Sequence, residues 1–315
     1  MTIDQANQQA QKAWILLSEG DYPATEKLAL GLCEAGYEVG YRIRSGIAEE
    51  KEDWDQAESI INEGIKAHPE MWSLHLQLGT LYTQSGRFEE ANKVFEQALT
   101  LPDVEKHWVE MNQAVALSQL GKVDEALNTL QGITHEELRN QAFEIKMQLL
   151  DQYQRHDLML EMVAEELEDL VPPQDEEEAA VMSRILALVA NACYDQDQDE
   201  KEIRFYLQQA INYDRNNELA LMVLREMRAE FTEQGKLYGI LIQANIKNDE
   251  GDTPVMTTYG ILADNVDEAV SMIHEFEIES LDRESIKIME VEETEPDEEE
   301  ELKGIYLVGG LGFMN

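Results

Sequence analysis

A chain of 315 residues is too long for one small hydrophobic core and is expected to form two domains or one extended array. Its 66 acidic and 24 basic residues give a formal charge of -42, a negative field that repels nucleic acid and anionic membranes. No apolar stretch reaches the roughly 18 residues needed to cross a bilayer, and the N-terminus lacks the basic and apolar regions of a leader peptide. We therefore expect a soluble, cytoplasmic protein.

Helical periodicity begins near the N-terminus. The pattern of residues 9–33 predicts a helical hairpin with its turn at residues 20–23. Cys33 and the distant Cys193 lie inside apolar helical patterns, and nothing in the sequence pairs them. We expect both to be buried thiols.

The clearest repeated unit is residues 72–102, WSLHLQLGTLYTQSGRFEEANKVFEQALTLP. It carries small, aromatic and helix-ending residues at fixed spacings, namely Leu78-Gly79-x2-Tyr82, Gly86, Ala91-x3-Phe95-x2-Ala98 and Pro102. This pattern closely resembles the tetratricopeptide repeat. The resemblance implies antiparallel helix pairs stacked in sequence.

The residue types in this unit also have a direct physical explanation. Gly79 and Ala91 are small, which lets two antiparallel helices cross closely. Tyr82 and Phe95 are large enough to fill the space beside that crossing. Gly86 allows the chain to leave the first helix. Larger residues at the crossing would push the two helices apart.

Equivalent alanines recur on both sides of this unit. Ala57 precedes Ala91 by 34 residues, and Ala126 follows it by 35 residues. The first helices of these neighbouring units place Ser45 and Ala114 at the predicted crossings. Three consecutive hairpins are therefore predicted.

The pattern weakens beyond these units but continues. Residues 136–171 form another predicted helix pair, ended by two prolines, and residues 179–217 repeat the helical spacing once more. A closing helix at residues 218–231 fits the need of a helical stack for a polar cap. The prediction is a mostly α protein, with a TPR-like α-solenoid of about six helical hairpins in residues 1–234.

Residues 235–315 are predicted to form a small acidic α+β domain. Its elements follow the order ββαββ, at residues 237–246, 255–263, 266–276, 284–293 and 304–313. Asp264 is expected to cap the helix, which would cover one face of an open antiparallel sheet together with the end of the helical array. The third strand alternates apolar Ile286, Ile288 and Val291 with polar residues. The acidic segment 294–302 is expected to be a solvated loop.

The sequence contains no recognisable catalytic or metal-binding constellation. Asp195, Asp197 and Asp199 alternate as in a calcium loop, but the glycine required at its sharp turn is missing. No two histidines have zinc-ligand spacing, so each is expected at the surface or at a hairpin end. The glycines of residues 309–312 precede no helix that could bind phosphate. We predict that the protein is not an enzyme and uses no cofactor or metal.

The resemblance implies that the first helices of successive hairpins line a groove for a peptide or a partner helix. Carried over position by position, that groove consists of Arg42, Glu49, Ser73, Leu76, Thr80, Gln84, Trp108, Met111, Val115 and Gln119. Trp108 and Met111 could instead belong to the core of the array. Only one of these residues is basic, which argues against a site that clamps a carboxylate tail. The acidic flanks favour a partner that is basic.

Two functions remain open from the sequence. The first is an adaptor or scaffold that binds another protein through this groove, the C-terminal sheet, or both. The alternative is an acidic inhibitor or immunity-type protein that blocks a basic nucleic-acid-binding or toxin partner, because its charge exceeds what solubility requires. Homo-oligomerisation is also expected if the last strand, at residues 307–313, presents an exposed apolar edge.

Overall fold

The computed structural model of the protein describes residues 1–133, 135–246, 253–277, 281–296 and 302–313. Two compact units are formed, one by residues 1–142 and one by residues 143–315. Among the described residues of the first unit, all regular secondary structure is helical. The second unit contains further helices and an antiparallel sheet.

The first unit consists of antiparallel helix pairs. Its helices are α1 (Ile3–Ser18), α2 (Tyr22–Glu34), α3 (Val39–Glu49), α4 (Trp54–Ala67), α5 (Trp72–Gln84), α6 (Phe88–Ala98), α7 (Lys106–Gln119) and α8 (Val123–Gln131). Each odd-numbered helix packs against the helix that follows it, so the unit contains four hairpins in sequence. A further helix, α9 (Glu136–Gln152), contains the division between the two units.

The crossing of α5 and α6 confirms the roles predicted for the small and large residues of the repeat. A Cβ atom on Gly79 would lie only 2.3 Å from Cε1 of Phe95, whose ring is fully buried. Ala91 is also fully buried at this crossing. Gly86 adopts a φ of +75°, which lets the chain turn out of α5. The size of each residue is therefore set by the distance between the two helices.

The second unit also contains helix pairs. Its helices include α10 (His156–Glu166), α11 (Glu176–Asp195), α12 (Glu200–Tyr213) and α13 (Glu218–Arg228). The described residues thus contain the predicted six hairpins followed by a closing helix. That helix ends at Arg228, earlier than predicted, because Ala229 takes a left-handed conformation with φ of +52°. The domain boundary at residues 234 and 235 remains a prediction.

The sheet follows the predicted order ββαββ. Its elements are β1 (Lys236–Ile246), β2 (Thr253–Ala263), α14 (Val266–Phe276), β3 (Leu281–Thr294), β4 (Gly304–Val308) and β5 (Gly312–Phe313). The strands are antiparallel in the order β3-β1-β2-β4, and β5 also pairs with β2. The last predicted strand is therefore two short strands. A Cβ atom on Gly309, between them, would lie 2.5 Å from the Thr258 hydroxyl, so glycine permits this close approach.

One face of the sheet is covered by α14 and α13. Tyr238, Ile240 and Tyr259 from the strands pack with Ile273 of α14 and Leu221 of α13 in a single buried cluster. This confirms that the predicted helix and the end of the array share a core with the sheet. Burial of these side chains is the main stabilising contribution in this region.

One detail of the prediction was wrong. The cap of α14 is Asn265, whose side chain accepts the Glu268 N–H, because the Asp264 carboxylate is taken by Lys303 and Thr232. Ile288 and Val291 lie on β3, an edge strand of the sheet, and are exposed, at 44% and 38%.

His156 lies at a hairpin end, as predicted, because it is the first residue of α10, and only 7% of this residue is exposed. Its ring lies between the carboxylates of Asp151 and Asp195, at 3.3 and 3.2 Å. The predicted turn at residues 248–252 lies outside the described residues. So does most of the acidic segment, at residues 297–301.

Candidate partner-binding surface

The first helices of the first unit form a continuous layer. Helix α1 packs on α3, α3 on α5, and α5 on α7. We call the exposed side of this layer the first-helix face, and define it by Trp14, Arg42, Glu49, Thr80 and Trp108. It corresponds to the groove predicted from the repeat.

Side-chain hydrogen bonds connect neighbouring helices of this face. Gln77 of α5 donates its Nε2–H to Oε1 of Glu49 on α3 at 2.7 Å, and the Ser45 hydroxyl donates to the same oxygen at 2.6 Å. The Thr80 hydroxyl donates to Oδ1 of Asn112 on α7 at 3.3 Å. These bonds fix the spacing of the three helices, so a ligand meets a surface that is already ordered.

Two predicted groove residues bury polar atoms that have no hydrogen-bond partner within the described residues. They are Nε of Arg42 and the hydroxyl oxygen of Ser73, a residue that is only 9% exposed. Burial lowers the pKa of the Arg42 guanidinium, and the nearby Glu38 and Glu49 carboxylates oppose that change. Buried polar atoms without partners are uncommon in folded proteins.

The apolar residues of the predicted groove lie on α5 and α7. Trp108 is 37% exposed, and its ring centroid lies 5.7 Å from that of His107, which in turn stacks on His135 at 4.7 Å. Met111 and Val115 are half-buried along the same helix. Trp108 is thus partly available at the surface, with one side held by the histidine.

The remaining predicted residues differ in exposure. Leu76 packs against the core of the α5 hairpin and is half-buried, as is Thr80. Gln84 and Gln119 are exposed at the C-terminal ends of their helices. Glu49 and Thr80 are therefore linked to neighbouring helices by hydrogen bonds, and Trp108 lies next to the Thr80 partner Asn112. Gln84 and Gln119 lie at the margin of this surface.

Sequence reasoning missed three members of this surface. Trp14 of α1 is 37% exposed, and its ring would be 3.6 Å from a Cβ on Gly46 of α3. Gln77 and Asn112 make the bonds between helices. Trp14 could have been found by aligning the first hairpin with the later repeats. The roles of Gln77 and Asn112 could not, because they depend on which residues of neighbouring helices come into contact.

The comparisons with known proteins agree with this architecture. Residues 73–103 match the family model of the tetratricopeptide repeat. The structure of pilF from Pseudomonas aeruginosa matches with a TM-score of 0.51 and 14% identity, over 71% of this chain and 98% of that protein. YrrB, a TPR protein with an unusual peptide-binding site, matches with a TM-score of 0.43 and 18% identity, over 62% and 96%. No curated protein sequence matches the chain.

The helical part of the chain is therefore an array of the tetratricopeptide type. Folds of this type generally mediate protein–protein interactions and are generally not catalytic. Among the described residues, no helix has the length and apolar character to cross a membrane. The same residues contain no group of three or more metal-ligating side chains placed to hold an ion.

Proposed function

We propose that the protein is a non-catalytic adaptor that binds a segment of a partner protein on the first-helix face. The single observation that carries this proposal is the exposure of Trp108, at 37%, on a layer of first helices that are joined by side-chain hydrogen bonds. Exposed tryptophan side chains on ordered surfaces are common anchors of protein–protein interfaces.

The charge of the chain supports a partner with basic residues around its apolar anchor. A net charge of -42 attracts a basic partner over a distance, while Trp108 would provide contact area once the partner has docked. The two contributions differ in their response to salt. Screening shortens the electrostatic range to about 3 Å at 1 M ionic strength but leaves apolar contact in place.

The test is affinity capture from the source lysate with the full chain and two single variants, eluted over a salt series. Trp108→Ala removes the exposed ring of the first-helix face. Tyr213→Ala is the matched control, because Tyr213 is an aromatic residue of similar exposure, 39%, at the end of α12. We expect one protein to remain bound at high salt to the wild type and the control, and to be lost from Trp108→Ala. Equal retention by both variants would contradict the proposal.

The charge also favours a second candidate, the acidic inhibitor of a basic protein. With 66 acidic residues, the surface could present carboxylates where a nucleic acid would present phosphates. This function predicts that all captured proteins are basic, elute at modest salt and are unaffected by Trp108→Ala. The same experiment therefore separates the two candidates.

Two further predictions belong to this proposal. A cytoplasmic location is expected for an adaptor without a described membrane-crossing helix. Self-association through residues 307–313 is supported by the exposure of Leu307 at 51% and Phe313 at 68%. It would place apolar side chains of an edge strand against a second copy.

A further inference from the structure

Strand β3 forms one edge of the antiparallel sheet. It pairs with β1 along one side, and in the described parts of the chain no strand pairs with its other side. With 14 residues it is longer than most strands of globular proteins. An edge of this kind carries backbone N–H and C=O groups that point away from the sheet, so it can pair with another chain.

The C-terminal half of β3 is the more regular half. Residues 290–294 pair in unbroken register with residues 237–241 of β1. One extra residue, Met289, precedes this stretch, and a larger irregularity of the register lies at residues 283–286. An added strand requires a regular edge. We call residues 288–294 the open edge, because they are the part of β3 that can accept such a strand.

The open edge exposes apolar side chains next to the buried core. Ile288 pairs with Ile242, which is fully buried. Val291 pairs with Ile240, which is also fully buried. Since directly paired residues project to the same face, Ile288 and Val291 extend the apolar face of the sheet. Helix α14 packs on β2 and β4, and the two side chains remain 44% and 38% exposed.

The charged side chains of the open edge are all acidic. Glu290 and Glu292 make no ion pair within the described residues. Glu293 differs from them, because its carboxylate lies 3.1 Å from Nζ of Lys236 on β1. The open edge therefore presents two carboxylates that no basic side chain neutralises.

The surrounding charges do not remove this negative excess. Lys236 also pairs with Glu295, and Lys287 directly precedes the open edge. With these three residues included, acidic groups still exceed basic groups by two. Charged side chains often protect edge strands from association. Here they are carboxylates, so they repel the same edge of a second copy and attract a basic segment.

We propose that the open edge accepts an extended segment of a partner protein as an additional strand, and that this segment alternates apolar and basic side chains. Its apolar residues would contact Ile288 and Val291, and its basic residues would meet Glu290 and Glu292. Backbone hydrogen bonds would supply affinity, and the alternation would supply specificity. This site is separate from the first-helix face and does not depend on the function proposed above.

The test is hydrogen exchange of the full chain, measured by mass spectrometry at 0.15 M salt with a synthetic peptide. The probe is acetyl-Lys-Val-Lys-Val-Lys-Val-Lys-amide. Its matched control has the same sequence with the three central amide nitrogens methylated, which keeps the charge but removes backbone donors. We expect the probe to slow exchange in β3 at least tenfold and the control to leave it unchanged. Equal effects of the two peptides, protection of β4 instead of β3, or no protection at millimolar probe would contradict the proposal.

Two variants locate the binding on β3. Val291→Lys places a positive charge between Glu290 and Glu292 at an exposed position, so the fold is expected to be kept. Leu30→Lys makes the same change of charge on α2, at a residue of similar exposure, 39%. We expect Val291→Lys to weaken the probe about fivefold, as for the loss of one cross-strand pair, and Leu30→Lys to change it less than about twofold.

Two further outcomes would overturn the proposal. Equal effects of Val291→Lys and Leu30→Lys would show that the probe responds to the overall charge of the chain. Protection of β3 that increases with protein concentration, without any peptide, would assign the open edge to a second copy.

Discussion

The α5–α6 hairpin and the sheet region are stabilised in different ways. In the hairpin, the contact between the two helices depends on side-chain size, because the small residues Gly79 and Ala91 leave space for the ring of Phe95. In the sheet region, a buried charged group also contributes, because Glu277 is fully buried at the end of α14. The first kind of packing repeats along the chain with a fixed spacing, whereas the second joins residues that are far apart in sequence.

The buried group of the sheet region is a triad. Nη2 of Arg215 lies 2.5 Å from Oε1 of Glu277, and its Nη1 donates to Oε2 at 3.3 Å. The Tyr259 hydroxyl donates to Oε1 of Glu277 at 2.6 Å and accepts from Arg215 at 3.2 Å. Burial, together with the neighbouring carboxylate, raises the pKa of Tyr259 and keeps its hydroxyl protonated. The triad therefore ties the α12–α13 connection to β2 and α14.

The largest effect is expected from breaking this triad. Glu277→Ala would leave the Arg215 guanidinium buried without its carboxylate, which typically costs about 3–5 kcal/mol. We expect that loss in the free energy of unfolding measured by urea titration, with faster hydrogen exchange in β2. Glu275→Ala is the control, since its carboxylate is 58% exposed and should contribute less than about 1 kcal/mol. Equal losses in the two variants would show that the triad contributes no more than a surface pair.

A smaller loss is expected from enlarging the crossing residue of the hairpin. Gly79→Ala places a methyl group against Phe95 and should destabilise the protein by about 2 kcal/mol, as overpacking usually does. Gly132→Ala is the control, because its nearest neighbour would be 3.6 Å away. In the double variant with Phe95→Leu, we expect the loss to be at least about 0.5 kcal/mol less than the sum of the single losses. An additive result in urea titrations would mean that the two residues do not compete for the same space.

The smallest effect is a pH dependence from Cys193 of α11. Burial, aided by Glu202, raises the pKa of this thiol from 9.0 to about 11. Between these values the folded protein keeps a proton that the unfolded chain has lost, so stability decreases as the pH rises. At pH 10 this contribution is about 1 kcal/mol. We expect Cys193→Ala to lose less stability than the wild type between pH 8 and pH 10 in urea titrations. Identical losses would exclude the thiol as a source of the pH dependence.

Most of the helical fold could be predicted from the sequence because its rules are local. The spacing of Gly79, Tyr82, Ala91 and Phe95 within one unit specifies a hairpin, and repetition specifies the stack. The strands and α14 were also predicted, since alternation and helical periodicity each act over a few residues. The predicted cap of α14 was wrong, because Asp264 and Asn265 have similar propensities for the N-cap position. The choice between them depends on Lys303, which binds the Asp264 carboxylate.

The sequence alone therefore determined the helix pairs, their order, the change to strands near residue 236 and the acidic surface, because each depends on neighbouring residues or on composition. Only the tertiary structure decided that Arg215, Tyr259 and Glu277 form a buried triad. The same holds for the bonds from Gln77 and Thr80 across the first-helix face. The residues of each group come from different helices and strands. Hydrogen bonds and ion pairs between them form only after folding has brought these elements within a few ångströms of each other.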